Sequence, residues 1–186
     1  MKKHIITACL YTVVTAVFLG LIYPLLITGA AKIAFRDKAD GQLIVRNGEV
    51  IGSKLIGQPF TGAGYFHSRP SAAGAGYDAS ASAGSNLGPT NTALVHRVET
   101  RVKAENSGVP VPIDLVTASG SGLDPDISPA AALYQVPRVA RERSLPEAVV
   151  RRVVMDTITP RQFGLLGEPT VNVLSLNMVL EVMKAR

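Results

Sequence analysis

The stretch IITACLYTVVTAVFLGLIYPLLI, Ile5 to Ile27, decides how the rest of the chain has to be read. Between Ile5 and Ala31 the only ionisable side chains are Cys9, Tyr11 and Tyr23, all neutral at pH 7, and Leu, Ile, Val and Phe dominate. As a helix, the 23 residues from Ile5 to Ile27 extend roughly 34 Å, enough for a hydrocarbon core of about 30 Å. Each central Leu, Ile, Val or Phe favours insertion by roughly 0.3 to 0.6 kcal/mol. A cleaved signal peptide is the rival, because Lys2 and Lys3 form a basic tip and Thr28-Gly29-Ala30 resembles a small-residue cleavage site. Signal cores run about 7 to 15 residues, shorter than this run, so the expectation is an uncleaved, single-pass anchor over residues 1–34, kinked by Pro24. Lys2 and Lys3 on one side face Lys32, Arg36 and Lys38 on the other, so charge counting is balanced. A short basic tip ahead of a long translocatable domain favours a cytoplasmic N-terminus and an extracytoplasmic body over residues 35–186.

Ala8, Thr12, Ala16 and Gly20 recur every fourth residue along this helix and would form a stripe where another membrane helix can approach closely. The plainer account is that membrane helices are generally rich in such residues, and the sequence does not separate the two.

With 186 residues, 47% hydrophobic and 5% aromatic, the remainder of the chain can build one ordinary core. The net charge of +5 has no interleaved aromatics, which disfavours nucleic acid. The densest basic group, Arg138, Arg141, Arg143, Arg151 and Arg152, reads as a solvated helix face, with a contact to a partner or to lipid headgroups as the alternative. One cysteine excludes an intramolecular disulfide, and no Cys/His spacing fits a zinc site, so no metal is expected.

Residues 43–60, LIVRNGEVIGSKLIGQPF, predict a β-hairpin turning at Asn47-Gly48. Asn91 predicts an N-cap for a helix through Asn106 with Leu94, Val95, Val98 and Val102 on its apolar face. IDLVTA, Ile113 to Ala118, predicts a short buried strand. Ser128-Pro129 opens a helix that Pro137 kinks or divides, Ser144 to Glu147 has capping-box spacing for another helix to Thr157, and a last helix starts near Asn172. The architecture is therefore a transmembrane helix followed by a single α+β domain with a small sheet.

Catalytic patterns are missing. There is no P-loop, and Gly74-Ala75-Gly76-Tyr77-Asp78-Ala79 matches a dinucleotide fingerprint without the preceding strand. Asp124 and Asp126 read as turn residues before the helix at Ser128, and His67 as a satisfied loop histidine. The segment from Thr61 to Asn91 carries only Arg69 and Asp78 as charges, yet Tyr65, Phe66 and Tyr77 are anchors that a slack linker would lack, so it is expected to pack.

Three long motifs follow in order: FHSRPSAAGAGYDASASAGSNLGPTN (Phe66 to Asn91), TASGSGLDPDISPAAALYQVPRVA (Thr117 to Ala140) and VNVLSLN (Val171 to Asn177). With the anchor they resemble the C subunits of the bacterial Kdp-type potassium-transporting ATPases over nearly the whole chain. The resemblance implies a non-catalytic accessory subunit in the inner (plasma) membrane. Its implied partners are a potassium-binding A subunit, an ATP-hydrolysing B subunit and a small F subunit. ATP and K+ are used by the complex, with no cofactor held covalently by this chain. The chain has neither the D-K-T-G motif of a P-type pump nor a T-V-G-Y-G filter. The resemblance also implies a catalytic chaperone that raises the ATP affinity of the B subunit. Were that contact direct, Gln135 is the candidate nucleotide-binding residue, although an extracytoplasmic domain can reach cytoplasmic ATP only by coupling. The competing class is an independent, signal-anchored envelope enzyme or ligand-binding domain using Asp124, Asp126 and His67.

Overall fold

The structure is a computed structural model that describes residues 1–105 and 108–184. It divides into two compact units, Met1–Ser53 and Lys54–Arg186.

The first unit opens with one apolar helix, Lys2–Ala34, of which no part of the most hydrophobic window is buried. It is α-helical over α1 (Lys2–Val17), π-helical over Phe18–Ile22, and α-helical again over α2 (Tyr23–Ala34). The π turn sits one turn ahead of Pro24, where a proline ring otherwise collides with the carbonyl four residues back, so the helix continues through the position instead of breaking. Thr15 donates its hydroxyl to the Tyr11 and Thr12 carbonyls, at 2.8 and 3.1 Å, leaving no hydroxyl proton for lipid to solvate. After a single-turn α3 (Arg36–Ala39), strands β1 (Leu43–Arg46) and β2 (Glu49–Ser53) form the expected antiparallel hairpin. Asn47 and Gly48 both take positive φ, 53° and 84°, which matches the twist of the flanking strands.

The second unit is α+β. Its helices are α4 (Thr92–Ala104), α5 (Pro129–Arg143), α6 (Glu147–Thr157) and α7 (Val173–Lys184). A three-stranded antiparallel sheet, ordered β3-β5-β4, joins Asp126–Ile127, Thr170–Asn172 and Ile158–Thr159. Each strand has two or three residues, too few for an alternating pattern to show in sequence. The core lies where α5, α6 and α7 meet this sheet, filled by Val136, Val139, Val150, Val154, Val171, Leu176 and Leu180. Phe66 enters it from the irregular segment and is wholly buried.

Asn91 accepts the Ala93 N–H at 2.8 Å, so the expected cap forms, and Ser128, where a helix is expected to open, caps it by accepting the Ala131 N–H at 3.2 Å. The end of the helix expected after Asn91, at Asn106, and the last two residues of the C-terminal helix expectation, Ala185 and Arg186, lie outside the described residues. Two expectations are corrected and a third is narrowed. Ile113–Leu115 is a 3-10 turn instead of a strand: Pro112 precedes it, Asp114 accepts the Ser128 N–H, and the Thr117 hydroxyl closes back on the Ile113 carbonyl. Pro137 does not divide α5, which runs through it. Ser144 ends α5 in the left-handed conformation, its N–H on the Arg141 carbonyl, so α6 starts after Pro146 without a side-chain cap.

Between β4 and β5 the chain forms a tight turn in which Gln162 and Leu166 exchange backbone hydrogen bonds at 2.9 Å, and Phe163 stands 90% exposed. Phe66 and Phe163 therefore make a controlled pair. Phe66→Ala is expected to destabilise the full chain in detergent by about 3 to 5 kcal/mol, and Phe163→Ala by less than about 0.5 kcal/mol, in denaturant unfolding.

Candidate functional site

The residues from Thr61 to Ser68 run through the second unit without belonging to a sheet, so their backbone polar groups need partners from elsewhere. Two buried amide side chains supply them. Asn177 on α7 accepts the Phe66 N–H at 2.8 Å and donates to the Phe66 carbonyl at 2.9 Å. Gln135 on α5 accepts the His67 N–H at 2.8 Å and donates to the His67 carbonyl at 3.2 Å. Each amide thus pairs with the backbone as a neighbouring β-strand would. Helix periodicity places both on faces that VPRVA and LSLN read as apolar, and an amide at such a position is the signal that marks the clamp in sequence.

Gln135 is spent entirely on this task. Its oxygen also accepts from the Arg138 guanidinium at 2.6 Å, and its nitrogen also donates to the Ala131 carbonyl at 3.3 Å. Two lone pairs and two protons are all a carboxamide has. Arg138 continues the clamp to the carbonyls of Ala63 and Tyr65. Arg143 donates to the carbonyls of Gly64 and Leu180, pairs with Glu181 at 2.8 Å, and lies 4.8 Å above the Tyr65 ring. Arg138 and Arg143 therefore face inward, correcting the expectation of a solvated basic face; Arg141, Arg151 and Arg152 remain exposed.

The Gly/Ala/Ser path beyond is packed as well. Ser71 donates to the Gly122 carbonyl at 2.6 Å and accepts the N–H groups of Ala73 and Tyr77. A Cβ at Gly122, which has φ of 68°, would lie 2.5 Å from the Ala83 carbonyl oxygen, so only glycine fits where the two loops cross. Asp124 accepts the Asp126 N–H at 3.0 Å and pairs with Arg69 at 3.3 Å, while Asp126 accepts from Asn172. These carboxylates are consumed by the turn, and no cluster of three potential metal ligands occurs among the described residues. The structure does not bring His67 to them: its ring lies 3.2 Å from the Gly62 carbonyl. The stripe residues Ala8, Thr12, Ala16 and Gly20 are all exposed, with Gly20 inside the π turn.

Burial lowers the pKa of His67 from its ordinary 6.5, helped by the charge of Arg138 and opposed by the Gly62 carbonyl and Glu105. The folded state thus binds this proton less readily than the unfolded chain, and stability rises with pH between the depressed value and 6.5, being fully present above it. Acid unfolding followed from pH 7 to 5 should flatten in His67→Gln. Gln135→Met keeps the volume but strands the N–H and carbonyl of His67. Its expected cost is about 1 to 3 kcal/mol in the unfolding midpoint, with loss of protease resistance around Thr61 to Ser68.

The comparisons with known proteins agree with one another. The family model described as "KdpC: K+-transporting ATPase, c chain" matches residues 5–182. A protein of Acidobacterium capsulatum, named Potassium-transporting ATPase KdpC subunit, is 65% identical over 97% of this chain and 99% of its own length. Proteins of the same name from Koribacter versatilis and Gemmatimonas aurantiaca are 60% and 55% identical, covering 97% and 100% of this chain and 95% and 96% of their own lengths. The chain belongs to the KdpC family, the c chain of the K+-transporting ATPases.

Proposed function

We propose that this chain is the single-pass accessory subunit of an ATP-driven potassium uptake complex. It holds the assembly together with the potassium-binding A, ATP-hydrolysing B and small F subunits, and catalyses nothing itself. The observation that carries this reading is the helix Lys2–Ala34, 33 residues long and uncovered by the rest of the chain, in a member of the KdpC family. Apolar surface of that extent requires lipid or partner helices around it. The β4–β5 tip supports the same reading. A backbone-bonded turn that displays Phe163, Leu165 and Leu166 at 90%, 80% and 61% exposure is the kind of surface a partner covers.

The N-terminus lies in the cytoplasm, and residues 35–186 form the extracytoplasmic domain, positioned over the potassium entrance. Any rise in the ATP affinity of the B subunit then passes through the membrane helix or the A subunit as a coupling free energy. The occupied carboxamide of Gln135 supports this route over direct nucleotide contact. The stripe Ala8, Thr12, Ala16 and Gly20 is the face offered to a neighbouring membrane helix, and Gly20 lies within the π turn Phe18–Ile22.

Gly20→Leu tests the interface, because a side chain there meets nothing within this chain. Co-purification of the ATPase subunits with the variant should fall severalfold while the isolated chain stays helical; undiminished recovery would remove the stripe from the reading. For topology, a cysteine at the exposed Ser144, in a Cys9→Ala background, should react with impermeant maleimide added outside spheroplasts. Labelling from the cytoplasmic side alone would reverse the orientation.

A further inference from the structure

The Gly/Ala/Ser path and α4 enclose a cleft of about 370 Å³ whose walls include Gly74, Ala75, Gly76, Ser85, Arg97 and Arg101. We propose that this cleft binds a phosphate-type oxyanion, held by the guanidinium groups of Arg97 and Arg101 and the backbone N–H groups of Gly74 and Ala75. The proposal is independent of the accessory role and concerns a part of the domain which that role does not use.

Arg97 and Arg101 are one helical turn apart, so their side chains share a face of α4, and both line the cleft. Like charges at this spacing oppose the helix. Neither arginine forms an ion pair or side-chain hydrogen bond among the described residues. Glu105 is one turn further on, but its charge acts on Arg138 and His67. Asp78, beside Gly74, accepts from the Ser80 N–H and hydroxyl at 2.9 and 2.6 Å and pairs with neither arginine.

The opposite wall is shaped to let an anion reach the main chain. Gly74 and Gly76 take positive φ, 52° and 114°, and turns built this way are places where backbone N–H groups can form an anion-binding concavity. The N–H groups of Gly74 and Ala75 donate to no acceptor among the described residues, although their neighbours Ala73, Gly76, Tyr77 and Asp78 all do. A Cβ on Gly76 would meet nothing within 4 Å, so the space beside it is open. Ser85 accepts the Leu87 N–H at 3.5 Å, which leaves its own hydroxyl proton to donate. The side chains with spare capacity on both walls, Arg97, Arg101 and the Ser85 hydroxyl, can all donate. Desolvation foremost, opposed by Tyr77 and joined by repulsion from Arg97, holds the pKa of Arg101 below its ordinary value, and a bound anion would offset both lowering effects. A phosphate group fits because two guanidinium forks can bind its oxygens bidentately while amides take the rest.

The test titrates ¹⁵N-labelled full chain in detergent micelles, at low ionic strength, with inorganic phosphate and, separately, with glycerophosphoglycerol as a deacylated lipid headgroup. Saturable shifts of the Gly74, Ala75 and Gly76 amides are expected with the ion that fits. Shifts with inorganic phosphate assign the cleft to the free oxyanion, and shifts with glycerophosphoglycerol alone assign it to a lipid headgroup. Arg97→Gln with Arg101→Gln should weaken binding about tenfold or more, and Arg97→Lys with Arg101→Lys should fall between, since lysine keeps the charge and loses the fork. If the glutamine pair fails to fold, the lysine pair must still bind more weakly than the natural chain. The proposal is overturned if neither ligand saturates these amides, or if the folded arginine variants respond as the natural chain does.

Discussion

The carboxamides of Gln135 and Asn177, each exchanging two hydrogen bonds with one residue of the Phe66-His67 backbone, are the constraint on which the domain rests. A chain segment carried into a core without a sheet brings buried N–H and carbonyl groups with it, and each one left unpaired costs about 1 to 3 kcal/mol. Side chains from α5 and α7 remove that penalty at the residue where Phe66 fills the core and at the next. Arg138 and Arg143 extend the arrangement to the carbonyls of Ala63, Gly64 and Tyr65. The long path of glycine, alanine and serine that follows is fixed at its start by this clamp and along its length by the loop around Gly122.

The parts legible in the sequence were those whose cause is local. Asn47-Gly48 dictates its turn through two positive φ angles, and Asn91 and Ser128 cap helices with their own side chains. The N-terminal helix, long and apolar enough to cross a membrane, declares itself by length and composition. The illegible parts depend on distant residues. IDLVTA has the composition of a strand, but Asp114 is claimed by the Ser128 N–H and no strand pairs with it among the described residues. Ser144 has the spacing of a capping box, yet the end of α5 claims it first. The sheet β3-β5-β4 joins pieces of two and three residues that only the packed helices bring together. At the candidate site, Gln135 drew attention for its polar side chain. What its sequence position could not show is that a backbone 68 residues away occupies it.

The surface of the domain divides by chemistry. On the core side, the carboxylates of Asp124 and Asp126 are matched by the turn, by Arg69 and by Asn172. The unmatched features are of two other kinds: apolar surface on the first helix and the β4–β5 tip, and hydrogen-bond donors around the cleft beside α4. Neither kind performs chemistry on a substrate, and both are suited to holding something in place. That division is what an accessory member of a transport complex requires.

It also constrains how such a chain can influence an ATP site it does not contain. Displacing α5 against the segment from Ala63 to His67 would break the bonds of Gln135, Arg138 and Arg143 together, and the unit from Lys54 onward has no cheap internal hinge at that point. A ligand or partner can shift an equilibrium only by the difference in its interaction with two states. With the clamp intact, the two states that the proposed coupling requires would differ in where the whole body docks on its partners. The proposed influence would then be set by contacts at the apolar tip and along the apolar N-terminal helix, where a loss of a few kcal/mol of packing changes occupancy by orders of magnitude. Within the clamp, by contrast, a substitution acts first on folding, and its effect on transport follows from the amount of folded subunit available to the complex.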